Sequence, residues 1–233
     1  MVSIGRENLD AAHVARYDAK ELARTTQEGE GASTLEVALL ASVGLDADAT
    51  VVDLGAGTGQ FTLAVAPSCR RVVAVDPSPV MLARLRAKTA QSGLANVEVV
   101  EAGYLSYQHN GAPADVVYSR WALHHLPDFW KVLALRRIRQ MLRPGGILRL
   151  SDIVFSFEPD ETEGRIEAWC ASFPVHPPSD AEWSRADIEE HVRDEHSTFT
   201  WVLEPMMERS GFRIEKADYS ENRIQADYLA RAV

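Results

Sequence analysis

The sequence predicts an α/β fold: a seven-stranded, mostly parallel sheet with an antiparallel last strand and helices on both faces. Three observations predict it. Apolar runs alternate with helical segments between Val51 and Asp152. The first run leads directly into a glycine turn and a helix start. The chain closes on two further strand-like segments joined by a turn. Apolar strands that alternate with helices indicate a parallel sheet buried on both sides.

The elements follow in chain order. Leu9, Ala12, Val14, Tyr17 and Leu22 give the polar first residues a helical rhythm, and Gln27 to Gly31 reads as a loop. A second helix is expected over Thr34 to Val43, closed by Gly44. These helices, within residues 1–46, precede the first strand; they either cap a ligand or pack on the sheet edge. Residues 51–54, 71–76, 97–102, 114–119 and 146–152 read as five strands. Helices are expected near 60–66, 78–92 and 129–142, with a short one near 105–110.

Segment 153–185 combines Glu158, Asp160, Trp169, Phe173, Pro177, Pro178 and Trp183 at the ligand end of a strand. That mixture suits an inserted substrate lid with one helix near 160–171. Helices at 186–195 and 199–210 follow, the second closed by Gly211. Strands at 212–218 and 225–233 flank the turn residues Ser220, Glu221 and Asn222. No internal repeat divides the chain, so residues 1–233 are expected to form a single domain.

Composition narrows the function. A formal net charge of −10 disfavours nucleic-acid binding, which needs clustered Lys and Arg. The two cysteines, Cys69 and Cys170, show no metal-binding or redox spacing and read as ordinary thiols of a reducing compartment. The N-terminal stretch lacks an apolar signal core, and no segment is apolar for long enough to span a bilayer. The expectation is a cytoplasmic protein without membrane or metal partners, its oligomeric state unassigned.

Val51 to Thr62, VVDLGAGTGQFT, carries the chemistry. Glycines let backbone N–H groups approach a ligand closely, and a strand–turn–helix junction suits a nucleotide-like molecule. A dinucleotide fingerprint needs Gly-x-Gly-x-x-Gly. Here Gln60 stands where the third glycine would be, and Asp53 precedes Gly55 by two residues. Asp76 ends the second strand, near the interval of about 20 residues expected of an acid that binds ribose hydroxyls. Its bland alternative is a turn acid before Pro77. His124, past the fourth strand on the ligand side, is the candidate proton acceptor, a role that imidazoles commonly serve. His125 reads as a loop tie, and His176, His191 and His196 as surface or lid residues.

Asp-x-Gly-x-Gly-x-Gly at 53–59, VYSRWALHHLPD at 117–128 and MLRPGG at 141–146 stand in this order along the chain. Together they resemble the class I S-adenosylmethionine (SAM)-dependent methyltransferases, above all small bacterial enzymes acting on small molecules. The resemblance implies the Rossmann-like methyltransferase fold, SAM as cofactor and S-adenosylhomocysteine as product. It implies that Asp53 holds the ammonium end of SAM, that Gly55 and Gly57 line the methionine part, and that Ser119 meets the amino-acid end. Asp76 would bind the ribose, with Pro77 and Met81 beside adenine. After the third strand such enzymes often carry Gly-Asp, whereas this chain has Gly103-Tyr104-Leu105. Tyr104 would touch adenine by its hydroxyl or ring, and the Leu105 N–H would serve a ring nitrogen. Tyr17 resembles an N-terminal Tyr-Asp element that closes over the cofactor. The expected reaction is in-line transfer of a methyl group to a small organic acceptor, its nucleophile left open among oxygen, nitrogen and carbon. An RNA or protein methyltransferase and a non-catalytic SAM-binding regulator are the competing readings.

Overall fold

Thr50–Leu54 forms β1, and all five of its residues are buried because hydrogen-bonded strands flank it on both sides. The computed structural model describes residues 31–179 and 182–233; the expected cap helix around Tyr17 lies outside them. Around β1 the chain adds β2 (Arg71–Asp76), β3 (Val97–Glu101), β4 (Ala114–Arg120), β5 (Leu142–Phe155), β7 (Phe212–Tyr219) and β8 (Gln225–Ala232). A two-residue β6 (Thr198–Phe199) pairs with the end of β5. The main order is β3-β2-β1-β4-β5-β8-β7, parallel through β5, with the last strand, β8, antiparallel to both neighbours. The chain leaves β1 toward β2 and β3, then returns to its other side as β4. That reversal opens a crevice beyond the carboxyl ends of β1 and β4, where open α/β sheets hold their ligands.

Alternate residues of the central strands face opposite cores. Val52, Val73, Val117 and Leu148 pack with Leu135 and Ile138 of α4 (Asp128–Met141) and with Leu203 and Met207 of α7 (Thr200–Arg209). Val51, Val72, Val116 and Ile147 pack with Leu40 of α1 (Ala32–Val43) and with Phe61 and Val65 of α2 (Gln60–Val65). α3 (Pro79–Gln91) covers the β2 side through Leu82 and Leu85. The expected short helix near 105–110 is a turn instead. The Gly103 carbonyl accepts from the N–H groups of Ser106 and Tyr107, while Ser106 Oγ accepts from the Gly103 N–H at 2.9 Å. A side chain that bonds the neighbouring backbone in this way competes with helix formation.

The inserted segment carries α5 (Thr162–Ala171), and α6 (Arg185–Asp194) follows it. Phe157, Trp169, Cys170 and Ile188 form a separate small core with Ile224 from the β7–β8 turn. Ser184 caps α6 by accepting from the Asp187 N–H, and the Asp187 carboxylate accepts from Ser184 N–H in return. Among the described residues, no helix is long and apolar enough to cross a membrane.

Arg149 is the one basic residue within the buried centre of β5, and it is 6% exposed. It donates to both Glu36 oxygens at 2.6 Å and to Asp227 at 3.1 Å, tying α1 to the sheet. Breaking a buried ion pair from one side costs about 3–5 kcal/mol; the partial exposure of Glu36 brings the expected loss for Arg149→Met to roughly 2–3 kcal/mol. Urea denaturation measures it, and a loss below about 1 kcal/mol would mean that apolar contacts alone dock α1.

Candidate active site

β1 ends in Leu54, and the turn that follows is shaped by what surrounds it. Gly55 has φ +76°, and a Cβ there would stand 2.3 Å from the Ala122 Cβ, so the loop after β4 touches the turn directly. Gly57 has φ +53° and no heavy atom within 4 Å of its would-be Cβ. One glycine is required by close packing, and the other leaves backbone open to an incoming group.

Two buried carboxylates flank the turn. Asp53 Oδ2 accepts from Thr62 Oγ1 at 2.6 Å. Burial, reinforced by the nearby charge of Asp76, pushes Asp53 up to about 7, against the opposing Thr62 hydrogen bond. Asp76 accepts from Gly57 N–H at 2.9 Å with one oxygen and from Ser78 N–H at 2.8 Å with the other. Burial raises Asp76 as well, with both backbone N–H groups working against the rise. Ser78 then caps α3, accepting from the Met81 N–H at 3.3 Å; Met81 is buried and Pro77 half-buried.

Asp53, Gly55, Gly57, Thr58, Gln60, Phe61, Tyr118 and Arg120 line a cleft with Ala56 and with Ser33 of α1. It holds about 500 Å³ of empty space, part of it open solvent. Phe61 and Tyr118 stack at 3.6 Å between ring centroids. Tyr118 Oη is buried and has no hydrogen-bond partner among the described residues. Behind Gly55, Tyr104 Oη and Ser119 Oγ share a 2.5 Å hydrogen bond, and Tyr104 also donates to the Leu54 carbonyl at 3.4 Å. Burial holds the Tyr104 phenol well above its usual range. Leu105 is half-buried against the larger core.

A second polar cluster lies past the end of β4, beside Asp152 of β5. His124, in the single turn Leu123–His125, is bonded through Nδ1 to Asp152 Oδ1, and its backbone N–H donates to Asp152 Oδ2 at 3.0 Å. Burial works to raise Asp152, but His124 wins and holds the carboxyl below its usual range. His125 Nδ1 and Glu195 Oε2 lie 2.6 Å apart. Burial would raise Glu195, yet the His125 hydrogen bond and charge bring it down to about 2. His191, expected on the surface or lid, is half-buried and edge-on to His124 at 5.0 Å between centroids, with Nε2 2.9 Å from Ser197 Oγ. Burial and the neighbouring His124 push it down to about 4.

The structure thus gathers Asp53, Gly55 and Gly57 on the cleft, ties Asp76 to it through Gly57, and sets Tyr104 and Ser119 directly behind it. Pro77, Met81, Leu105 and His124 are absent from the cleft lining, and Tyr17 lies outside the described residues. Thr62, Tyr118 and Glu195 carry interactions that the sequence reading missed. Tyr118 had a signal, because Val116, Tyr118 and Arg120 alternate onto one face of β4.

The parallel sheet, its antiparallel last strand and the glycine turn after β1 are the architecture of the class I SAM-dependent methyltransferase fold. Residues 51–146 match the family model of a methyltransferase domain, and the cofactor that this match implies is SAM. It is similar to an uncharacterized methyltransferase of Geobacillus kaustophilus, 26% identical over 75% of this chain and 74% of that protein. The trans-aconitate 2-methyltransferase of Azoarcus sp. is 37% identical over 48% of this chain and 42% of that protein. This chain therefore spans about three quarters of one relative and less than half of the other. A crystal structure of a SAM-dependent methyltransferase from Aquifex aeolicus shares the fold, with TM-score 0.61 and 18% identity over 96% of this chain and 99% of that one.

The Asp53 environment has a consequence for the free protein. A carboxyl raised to about 7 binds its proton more tightly when folded, so its contribution is full below about pH 4 and is lost as pH rises to about 7. Asp53→Asn keeps an acceptor for Thr62 and carries no charge. Its stability advantage over the wild type is expected to grow between about pH 4.5 and pH 8, with a ceiling near 4 kcal/mol. Melting curves at the two pH values check this, and an unchanged gap would mean that Asp53 is solvated.

Proposed function

We propose that this enzyme transfers a methyl group from SAM to a small organic acceptor. The observation that carries the reading is the open backbone at Gly57, set between the buried carboxylates Asp53 and Asp76. The unpartnered hydroxyl of Tyr118 on the same cleft fits a polar ligand there. Two acids spaced around an open turn suit a molecule with an ammonium group at one end and vicinal hydroxyls further along.

Asp53 holds the ammonium, Gly55 and Gly57 line the methionine part, and the Ser119 backbone meets the amino-acid end. Asp76 takes the ribose hydroxyls; Pro77, Met81 and Leu105 flank adenine, with Tyr104 against the same region. Tyr17 closes over the cofactor from the N-terminal side. When bound, the cofactor supplies an electrophilic methyl on a sulfonium that leaves as a neutral thioether. The residues therefore act chiefly by holding the acceptor in line and excluding water.

His124 is assigned to the acceptor. Asp152 occupies its Nδ1, which leaves Nε2 as the ring nitrogen for the acceptor side. Segment 153–185 serves as the substrate lid, with Trp169 and Phe173 giving it apolar body. A small acceptor is supported by the net charge of −10, which disfavours polyanions, and by a relative named for a small organic acid.

Calorimetry with S-adenosylhomocysteine tests the cofactor half. Asp76→Ala should weaken binding roughly tenfold or more, the effect of about 1.4 kcal/mol, while the protein remains folded. Equal affinity in variant and wild type would remove the ribose assignment. Transfer of a labelled methyl to a panel of small acids, phenols and amines tests the other half. His124→Ala should lower turnover by about a hundredfold with cofactor affinity kept, and unchanged turnover would remove His124 from the acceptor site.

A further inference from the structure

Two neighbouring histidines and a carboxylate 70 residues further along the chain converge past the end of β4. His124 and His125 lie in one short turn, and Glu195 ends α6, 70 residues on from His125. Their ligating atoms all lie within 4.8 Å of one another, with His124 buried and the other two half-buried. Two imidazoles and one carboxylate are the donor set of zinc and of non-haem iron or manganese sites. We propose that His124, His125 and Glu195 bind one divalent transition-metal ion, with Asp152 holding His124 from behind.

The arrangement around the three supports this. Asp152 grips His124 twice, by the ring Nδ1 and by the backbone N–H. That grip fixes the ring and leaves Nε2 for the ion, as outer carboxylates do for metal-bound histidines. With an ion bound, Nε2 would be a ligand, and the acceptor would face the open position of the ion and not the imidazole itself. Asp152 and Glu195 bring two negative charges into a water-poor recess, and each is bonded to an imidazole. The nearby Lys131 ammonium is engaged elsewhere, by Asp128 and the His196 carbonyl. A dication balances that charge better than protonated imidazoles, which repel one another at the 4.4 Å ring separation of His124 and His125. His191 stands edge-on to His124, and Trp169 in turn packs edge-on against His191.

The 2.6 Å contact between His125 and Glu195 holds a shared proton. An ion at ordinary bond lengths of about 2.0–2.2 Å replaces that proton and sets its ligand atoms ~3.3 Å apart, a shift of several tenths of an ångström. Three protein ligands leave at least one position for water or for a donor atom of the acceptor. The inference rests on the methyl-transfer reading for the identity of that acceptor, but ion binding itself does not.

The test uses the untagged full chain, freed of metal with a chelator and titrated with Co²⁺ and then Zn²⁺. The expected result is one equivalent of Co²⁺, a visible absorption band, and displacement of the band by Zn²⁺. Glu195→Gln, which keeps a hydrogen-bonding partner for His125, and His125→Asn should each weaken binding by about 10–100-fold or more. The exposed His176→Ala should bind as the wild type does. Wild type that takes up no stoichiometric ion below about 100 μM, or folded variants that bind equally well, would overturn the site. S-adenosylhomocysteine affinity is measured on the same samples. If it persists while the ion does not bind, only the metal inference fails; if it is lost in the wild type, the methyltransferase reading fails.

Discussion

The crowding of negative charge at the turn after β1 is the constraint around which this end of the sheet is built. Asp53 and Asp76 are both buried, and the charge of Asp76 adds to burial in raising the affinity of Asp53 for a proton. Three short polar contacts make the pair tolerable: the Thr62 hydroxyl on Asp53 and the N–H groups of Gly57 and Ser78 on Asp76. Hydrogen bonds of this kind offset desolvation without neutralising the charge. The protein thus carries an electrostatic cost at this turn, because burial works against the ionised form of both carboxyls.

The rest of the fold can be read as support for that turn. β1 fixes Asp53 because strands pair with it on both sides and leave it no alternative register. β2 places Asp76 at its last residue, where Pro79 and the Ser78 cap turn the chain into α3. Arg149 draws α1 onto the sheet, and α1 brings Ser33 to the cleft wall. The insertion after β5 builds its own apolar core and reaches the rest through Phe199 and Ile224, so it packs as a distinct layer beyond the strand ends.

Most of the scaffold was legible because it is local. Runs such as RVVAVD declare a strand, and the glycine spacing after Asp53 separates this turn from a dinucleotide site within a dozen residues. The positions of Asp53 and Asp76, at or next to the last residue of β1 and β2, were legible for the same reason. The histidine cluster was not, since His191 and Glu195 sit on a helix whose sequence reads as solvent-facing and whose partners lie some 70 residues earlier. Thr62 was hidden similarly: a threonine in a first helical turn signals nothing until the strand beneath it is known. The mistaken helix near 105–110 came from apolar spacing, which cannot show that Ser106 will bond backward to Gly103.

The contact between Gly55 and Ala122 has a consequence for how such a chain can change over time. Gly55 cannot acquire a side chain without colliding with Ala122, and shrinking Ala122 would not help, because the backbone at Gly55 is left-handed. A larger residue at 122 would press into the turn from the opposite side. Neither position therefore has a single-step route to a bulkier residue, and the two loops are constrained to drift as one unit.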